Sequence, residues 1–272
     1  MFINFQVFEA PLLERIARLA EVTNKSIGQV FRDRAPTLAR YLATATMPIA
    51  GLARDGGSAN GLGKEAHTLG MKAVTRDVSR VYKSPNGIVS QIAQSNGNKG
   101  VGMARGFFGM MKRGEMVQAK ALLSRAKVGG ESVQIIEWDG GKRHKEARVK
   151  GRVPKSTRAV VISDAKKLAE YTEMRRGNVG FAKAGWVNAA SRMGRTKTTI
   201  PRWISKHTSA PGHGNDFTND ILAPRFELTN SVNYLSEILS ERYLLMATAS
   251  FERSLKKEVN IVVAKLAARE NA

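Results

Sequence analysis

Cysteine is absent from the 272 residues, so the chain can build no disulfide framework, thiolate nucleophile or cysteine–zinc site. Long apolar runs are missing too. No stretch reaches the roughly eighteen consecutive apolar residues of a membrane-crossing helix. The opening MFINFQVFEAPLLERI has neither the basic start nor the small-residue cleavage site of a secretory signal. The expectation is a protein made and used in the cytoplasm, with no membrane partner. Acidic residues are in short supply, 23 against 44 basic, for a net charge of +21 and a pI near 10.5. A field of that size favours polyanionic or acidic partners and steers association. Nucleic acid is the first partner it suggests.

What is present suffices for a full hydrophobic core, as one large domain or a domain with helical additions: 42% of residues are hydrophobic, with no low-complexity tract and no internal repeat. Met1 to Phe8 alternates Phe2, Ile3, Phe5, Val7 and Phe8 with Asn4 and Gln6, which fits a short strand or a segment docked on a partner. Pro11 opens a helix with Leu12, Leu13, Ile16, Leu19 and Ala20 on one face. A second helix follows from Ser26, with Pro36 kinking or splitting it, so the two form an N-terminal helical hairpin. Between Gly51 and Gly63, five glycines in thirteen residues read as a loop. Gly57 to Lys64 is no phosphate-binding loop, because the lysine comes one residue late and Glu65 stands where a magnesium-binding Ser or Thr is needed.

Lys64 to Tyr82 is a helical pattern with Lys72, Arg76 and Arg80 on one stripe, and Ser84-Pro85 caps and opens a short helix. In Val101 to Ala126, Gly102, Gly106, Gly109 and Gly114 interrupt a helix-prone run, so part of it is expected to be irregular. Ser132 to Trp138 reads as a strand. Lys142, Arg143, Lys145, Arg148, Lys150, Arg152 and Lys155 follow, opposed by Glu146 alone. Glycine and proline flanks make this run an extended hairpin or loop arm. It suits a phosphate backbone or an acidic protein surface; its other reading is a solvated charge run. No aromatics interleave to stack on bases.

The densest pattern is Thr157 to His207. Arg158 to Ile162 is β-branched and apolar, hence a buried strand, and Ser163 is placed to cap a helix over Asp164 to Met174 that Gly177 ends. In Val179 to Met193 small residues surround Phe181, Trp186 and Val187, so a neighbouring backbone can approach closely with Trp186 as the anchor. Pro201 opens a turn that Trp203 and Ile204 pack down, and both tryptophans read as core. Thr208 to Pro224 is a polar loop. Its His213 and Asp216, with His207, lack the spacing of metal ligands. Arg225 to Val232 is a strand, and Tyr234 to Ala268 a long helix with a break near Ser240.

Four runs resemble a known family. Val179-Gly180-Phe181-Ala182-Lys183-Ala184-Gly185-Trp186, then Ile200-Pro201-Arg202-Trp203-Ile204 with Lys206-His207, Phe226-Glu227-Leu228-Thr229-Asn230-Ser231-Val232 with the long C-terminal helix after it, and Gly70 to Val78 upstream are similar, in the same order, to tail-completion or neck components of tailed-bacteriophage virions. The resemblance implies a structural virion protein that forms a homo-oligomeric ring at the head–tail junction. Its partners would be neighbouring neck, connector or tail-tube proteins, with transient contact to packaged DNA. The bottom-up expectation beside it is an α+β fold, a small mostly antiparallel sheet packed by long helices. It comprises an N-terminal helical segment (1–50), a glycine-rich loop with helices (51–130), and a sheet with the long C-terminal helix (131–272). No nucleophile–base pair, carboxylate pair or metal cluster is visible, so the expected chain is not an enzyme and needs no cofactor. Trp186, Pro201 and Trp203 are the expected structural anchors, and the seven cations from Lys142 to Lys155 the expected contact with partner or polyanion.

Overall fold

Phe2–Phe5 forms a strand (β1), which settles the first alternation in favour of a sheet. In the computed structural model the described residues are 2–5, 17, 27–49, 61–128, 131–149, 151–193, 199–217 and 225–270. The helix expected over Pro11 to Asn24 lies outside them except at Ala17, as do positions 51–60 of the glycine-rich segment. The chain divides into two compact units, Met1–Gly70 with Asn178–Ala272, and Met71–Gly177.

The first unit begins with β1 and the helix Ile27–Ala45 (α1). Pro36 sits inside α1 without ending it, and Ala35, Leu38, Ala39, Leu42 and Ala43 form the buried stripe. The next helix, Lys64–Val81 (α2), contains the chain's first crossing between units, after Gly70.

In the second unit, Tyr82–Lys83 (β2) leads to Pro85–Ser95 (α3), where the Ser84 hydroxyl accepts from the Gly87 amide at 3.1 Å, as expected of the Ser-Pro pair. Helices Gly97–Arg113 (α4) and Met116–Arg125 (α5) follow. The glycine-interrupted run stays helical through Gly102, Gly106 and Gly109 and breaks only at Gly114, where φ is +74° and the amide closes the helix on Met110 and Met111. Lys127–Val128 (β3) pairs with Glu131–Ser132 (β4). Ile135–Ile136 (β5), a short helix Lys142–Glu146 (α6), Val160–Ile162 (β6) and the helix Ala165–Gly177 (α7) complete the unit.

Strand β6 is central in a parallel sheet of order β2-β6-β5, and all three of its residues are buried. Successive side chains of a strand point to opposite faces. Val161 accordingly packs with Ile88, Ile92, Phe107 and Leu123, while Val160 and Ile162 pack with Val78, Val81, Leu168 and Tyr171. A strand covered on both faces needs an unbroken apolar run, which is what Val160-Val161-Ile162 supplies.

The first unit resumes with Phe181–Ser191 (α8) and the turn of helix Arg202–Ser205 (α9). Strands Gly212–Phe217 (β7) and Arg225–Asn230 (β8) follow, then Leu235–Ile238 (α10) and the 30-residue helix Glu241–Glu270 (α11). The sheet here is antiparallel, of order β1-β8-β7, with Phe5 opposite Phe226 and Gly212 opposite Asn230. Trp186 of α8 is fully buried among Leu38, Leu42, Phe226 and Phe251. Helix α11 follows α1 through Ala247, Phe251 and Leu255, and Glu258 pairs with Arg34 of α1.

The fold is therefore α+β, with the strands of the described residues spread over three separate sheets, one of them parallel, where a single mostly antiparallel sheet was expected. The break before α11 falls at Leu239 and Ser240. Two other expectations change. The polar stretch Thr208 to Pro224 contains β7, whose GHGNDF has no apolar alternation because its glycines serve close approach: a Cβ on Gly212 would lie 1.9 Å from the Gly185 carbonyl oxygen of α8. Asp164, one residue beyond Ser163, bonds the first turn of α7 through the Lys167 amide at 3.0 Å. Trp186→Ala should cost about 3–5 kcal/mol of the first unit's stability, the usual range for emptying a core aromatic site. Urea unfolding followed by far-ultraviolet dichroism measures it, and a loss below about 1 kcal/mol would mean that Trp186 is not the centre of that core.

Candidate interaction surface

The basic segment, expected to be an extended hairpin or loop arm, opens instead with a turn into a short helix, Lys142–Glu146, and only then forms a small hairpin at Val149 and Arg152. Gly140 and Gly141, with φ of +69° and +81°, swing the chain into α6, and a Cβ on Gly141 would meet the Tyr171 ring at 2.5 Å. The Asp139 carboxylate takes the Gly141 amide at 2.9 Å, the Arg143 amide at 3.1 Å and the Tyr82 hydroxyl at 2.7 Å. The Tyr82 oxygen in turn accepts the His144 amide at 3.1 Å. His144 is the inward residue of α6, 3% exposed, with Nδ1 2.8 Å from the Tyr171 hydroxyl and Nε2 without a hydrogen-bond partner. Around these groups the rings of Tyr82, Trp138 and Tyr171 pack edge to face and tilted, at 5.1 to 6.5 Å.

Each group has a protonation state set by this setting. Burial, then the nearby Arg175 and Arg148 charges, push His144 down to about 4. Burial works against the Asp139 carboxylate, but the bonds from Tyr82, Arg143 and Gly141 hold it below the usual carboxylate range. Burial and the Asp139 bond raise the Tyr82 hydroxyl. The ring is thus neutral and the carboxylate charged at neutral pH.

Outward from this turn point Lys142, Arg143, Lys145 and Glu146, all exposed. Lys142 lies 4.0 Å from Glu146, while Arg143, Lys145, Arg152 and Lys155 enter no ion pair among the described residues. The chain then forms a small hairpin at the bridge Val149–Arg152, with Arg148 donating to the Gly151 carbonyl at 2.7 Å and Arg80 to the Val153 carbonyl at 2.7 Å. Lys150 lies outside the described residues. Met71–Gly177 carries 23 lysines and arginines against 9 acidic residues, which is +14 of the chain's +21.

The first unit holds another buried titratable group. Lys183 on α8 is fully buried and donates to the Ala43 carbonyl at 2.8 Å and to the Thr46 carbonyl, both at the end of α1. The Trp186 indole donates to the Thr46 hydroxyl at 3.1 Å, and that hydroxyl donates to the Leu42 carbonyl at 2.8 Å. Burial pushes Lys183 down to about 7. Trp203 is half-buried, stacked on the His67 ring at 5.0 Å and donating to the Leu62 carbonyl at 3.3 Å, and Pro201 supplies the carbonyl that takes the Ile204 amide at 2.9 Å. Trp203 and Ile204 belong to a separate hydrophobic cluster with Ala184 and Ala210, apart from the one that holds Trp186.

The remaining histidines hold structure. His207 Nε2 meets the Val179 carbonyl at 3.0 Å, and His213 Nδ1 meets Arg192 at 2.9 Å. Asp216 pairs with Arg32 at 2.7 Å. No group of three or more His, Asp or Glu able to hold a metal occurs among the described residues, and no described helix is long and apolar enough to cross a membrane. Reading the sequence did not single out Lys183 or His144. The available signal was a lysine inside the otherwise small or apolar run FAKAGWV, and a histidine one turn after Asp-Gly-Gly.

Comparison with protein-family models, with curated proteins and with solved structures found no match.

A buried histidine held neutral ties stability to pH. Its ordinary pKa of 6.5 applies in the unfolded chain and about 4 in the folded one, so unfolding takes up a proton between these values. The second unit is fully stabilised above pH 6.5 and loses stability as pH falls through that window. Urea unfolding of the wild type and of His144→Gln should show their difference shrinking by about 2 kcal/mol between pH 7 and 4.5. A difference constant with pH would mean that the ring is not held neutral.

Proposed function

We propose that the chain is a non-enzymatic structural protein of a tailed-phage virion, assembled in the host cytoplasm into a homo-oligomeric ring at the head–tail junction. Its role is of neck, tail-completion or tail-terminator type, joining connector and tail. The observation that carries this reading is where the resembling residues fall. Ala182 and Trp186 of the first run, Ile204 of the second, and Phe226, Leu228 and Val232 of the third are all buried in the hydrophobic clusters of the first unit. Those six residues are core positions, of the kind that specify a fold, while Lys72, Thr75 and Arg76 of the upstream run are exposed.

In this reading the ring is built from the antiparallel sheet of the first unit and the long helices packed on it, and function resides in interfaces. The segments Gly51 to Gly63 and Lys142 to Lys155 are the contacts to neighbouring subunits or to the next ring. Mass photometry of the purified chain without DNA should show one closed oligomer. Cross-linking in assembled particles should join lysines of the second segment to a neighbouring chain. A monomer at every concentration, together with absence from purified particles, would contradict the proposal.

A second reading, sequence-independent nucleic-acid binding, is favoured by one observation: two thirds of the net charge, +14 of +21, lies in the 107-residue second unit. Charge concentrated in that way is the electrostatic footprint of phosphate-backbone binding.

A further inference from the structure

We propose that the second unit grips the phosphodiester backbone of nucleic acid through the turn bearing Lys142, Arg143 and Lys145, without reading base sequence. The proposal rests on the second of the two readings above and names the surface and the ligand group it would use.

The turn is preorganised. A surface lysine or arginine on a mobile arm must be ordered on binding, which costs about 0.5–1.5 kcal/mol for each immobilised side chain and more for the loop that carries it. Here the backbone is already fixed from below by Asp139, which takes the amides of Gly141 and Arg143, and by Tyr82, which takes that of His144. With His144 buried, the other four residues of α6 are forced outward, and three of those four are cations. Arg152 and Lys155 extend the charge along the hairpin that Arg148 and Arg80 close. Arg143, Lys145, Arg152 and Lys155 lie within ion-pair distance of no acidic side chain among the described residues, so none has to give up such a pair on binding.

Two features favour a phosphate backbone over an acidic protein. Protein interfaces deplete charge at their centre and enrich aromatic and methionine contacts, whereas the outer side of this turn consists of Lys142, Arg143, Lys145 and Glu146. Among the described residues of the hairpin, Val149, 57% exposed, is the one exposed large apolar side chain. The aromatics of the region, Tyr82, Trp138 and Tyr171, are spent on one another beneath the turn. They are not placed to stack on bases, which removes the usual source of single-strand or base preference. Cations alone position a duplex and specify nothing.

Fluorescence anisotropy of the full-length chain with a labelled mixed-sequence 30-base-pair duplex, across a potassium chloride series from about 50 to 300 mM, tests this. K142A/R143A/K145A is compared with R253A/K256A/K257A, which removes the same charge from α11 in the first unit. Both sets are exposed, and dichroism with thermal melts confirms that each variant folds. The expected result is a steep salt dependence for the wild type and equal affinity for a second, unrelated duplex. The first triple should weaken binding at least about 10-fold and flatten the log–log slope by about 2 to 3, near 0.9 for each phosphate that is no longer neutralised. The second triple should leave the slope within about 1 of the wild type. Lys145→Glu alone should weaken binding more than Lys145→Ala.

A wild type that fails to bind duplex at the lowest salt overturns the nucleic-acid reading together with the inference. Binding that both triples weaken alike leaves that reading standing and overturns the turn as its seat. Tighter binding to polyglutamate than to duplex of matched charge assigns the surface to an acidic protein and overturns the proposal.

Discussion

The fully buried amine of Lys183, set against the end of α1, is the constraint on which the first unit depends. A helix ends with carbonyls that lack partners and with the negative pole of its dipole. At the end of α1 two of those carbonyls, of Ala43 and Thr46, face the same nitrogen, while the Thr46 hydroxyl joins the Trp186 indole to the Leu42 carbonyl. A neutral amine has two N–H donors, matching two carbonyls. The third proton of an ammonium would have only the Trp203 ring, 6.0 Å away, to face. Burial and geometry thus agree in favouring a lysine that gives up its proton near neutrality. Helix α8 carries both Lys183 and Trp186, and α1, β7, β8 and α9 all pack on α8. Without that tie the end of α1 would bury unsatisfied carbonyls against an apolar helix.

The second unit solves a comparable problem with different groups. A sharp turn between β5 and β6 exposes amides that need acceptors, and Asp139 and Tyr82 supply them from the apolar side. The same bonds that stabilise the unit also fix the direction of its outward cations. Buried polar groups of both units are thereby committed to holding backbone, and the net charge of the second unit, 23 lysines and arginines against 9 acidic residues, is cationic. That division suits a chain whose work is attachment to neighbours, whether protein subunits or a polyanion.

How much of this was legible in the sequence depends on range. The buried strand within RAVVI, which forms over Val160 to Ile162, the Ser84-Pro85 start and the break before α11 are local signals that appear where they were read; the left-handed stop read at Gly177 does not, because Gly177 is the last helical residue of α7 and the positive φ falls at Gly180. The parallel pairing of Tyr82–Lys83 with Val160–Val161 joins segments far apart in sequence, and no periodicity encodes a partner. Strand β7 was hidden because glycine contact with α8, and not apolar alternation, places it. The discontinuous first unit was hidden for the same reason: the packing of α1 on α8 is set by Lys183 and Trp186, which look like an ordinary surface lysine and an ordinary core aromatic until Thr46 is placed beside them. The basic run was legible as charge, but its anchoring was not, since His144 reads as one more polar residue among lysines.

The most direct test is a titration of Lys183 itself. Carbon-13 NMR of the lysine ε-methylene, assigned by its disappearance in Lys183→Met, reports the protonation of that single amine. A midpoint near 7, against the ordinary 10.5, is the result this account predicts. A midpoint at or above the ordinary lysine value would show an amine in contact with water, and would contradict the buried tie between α8 and the end of α1.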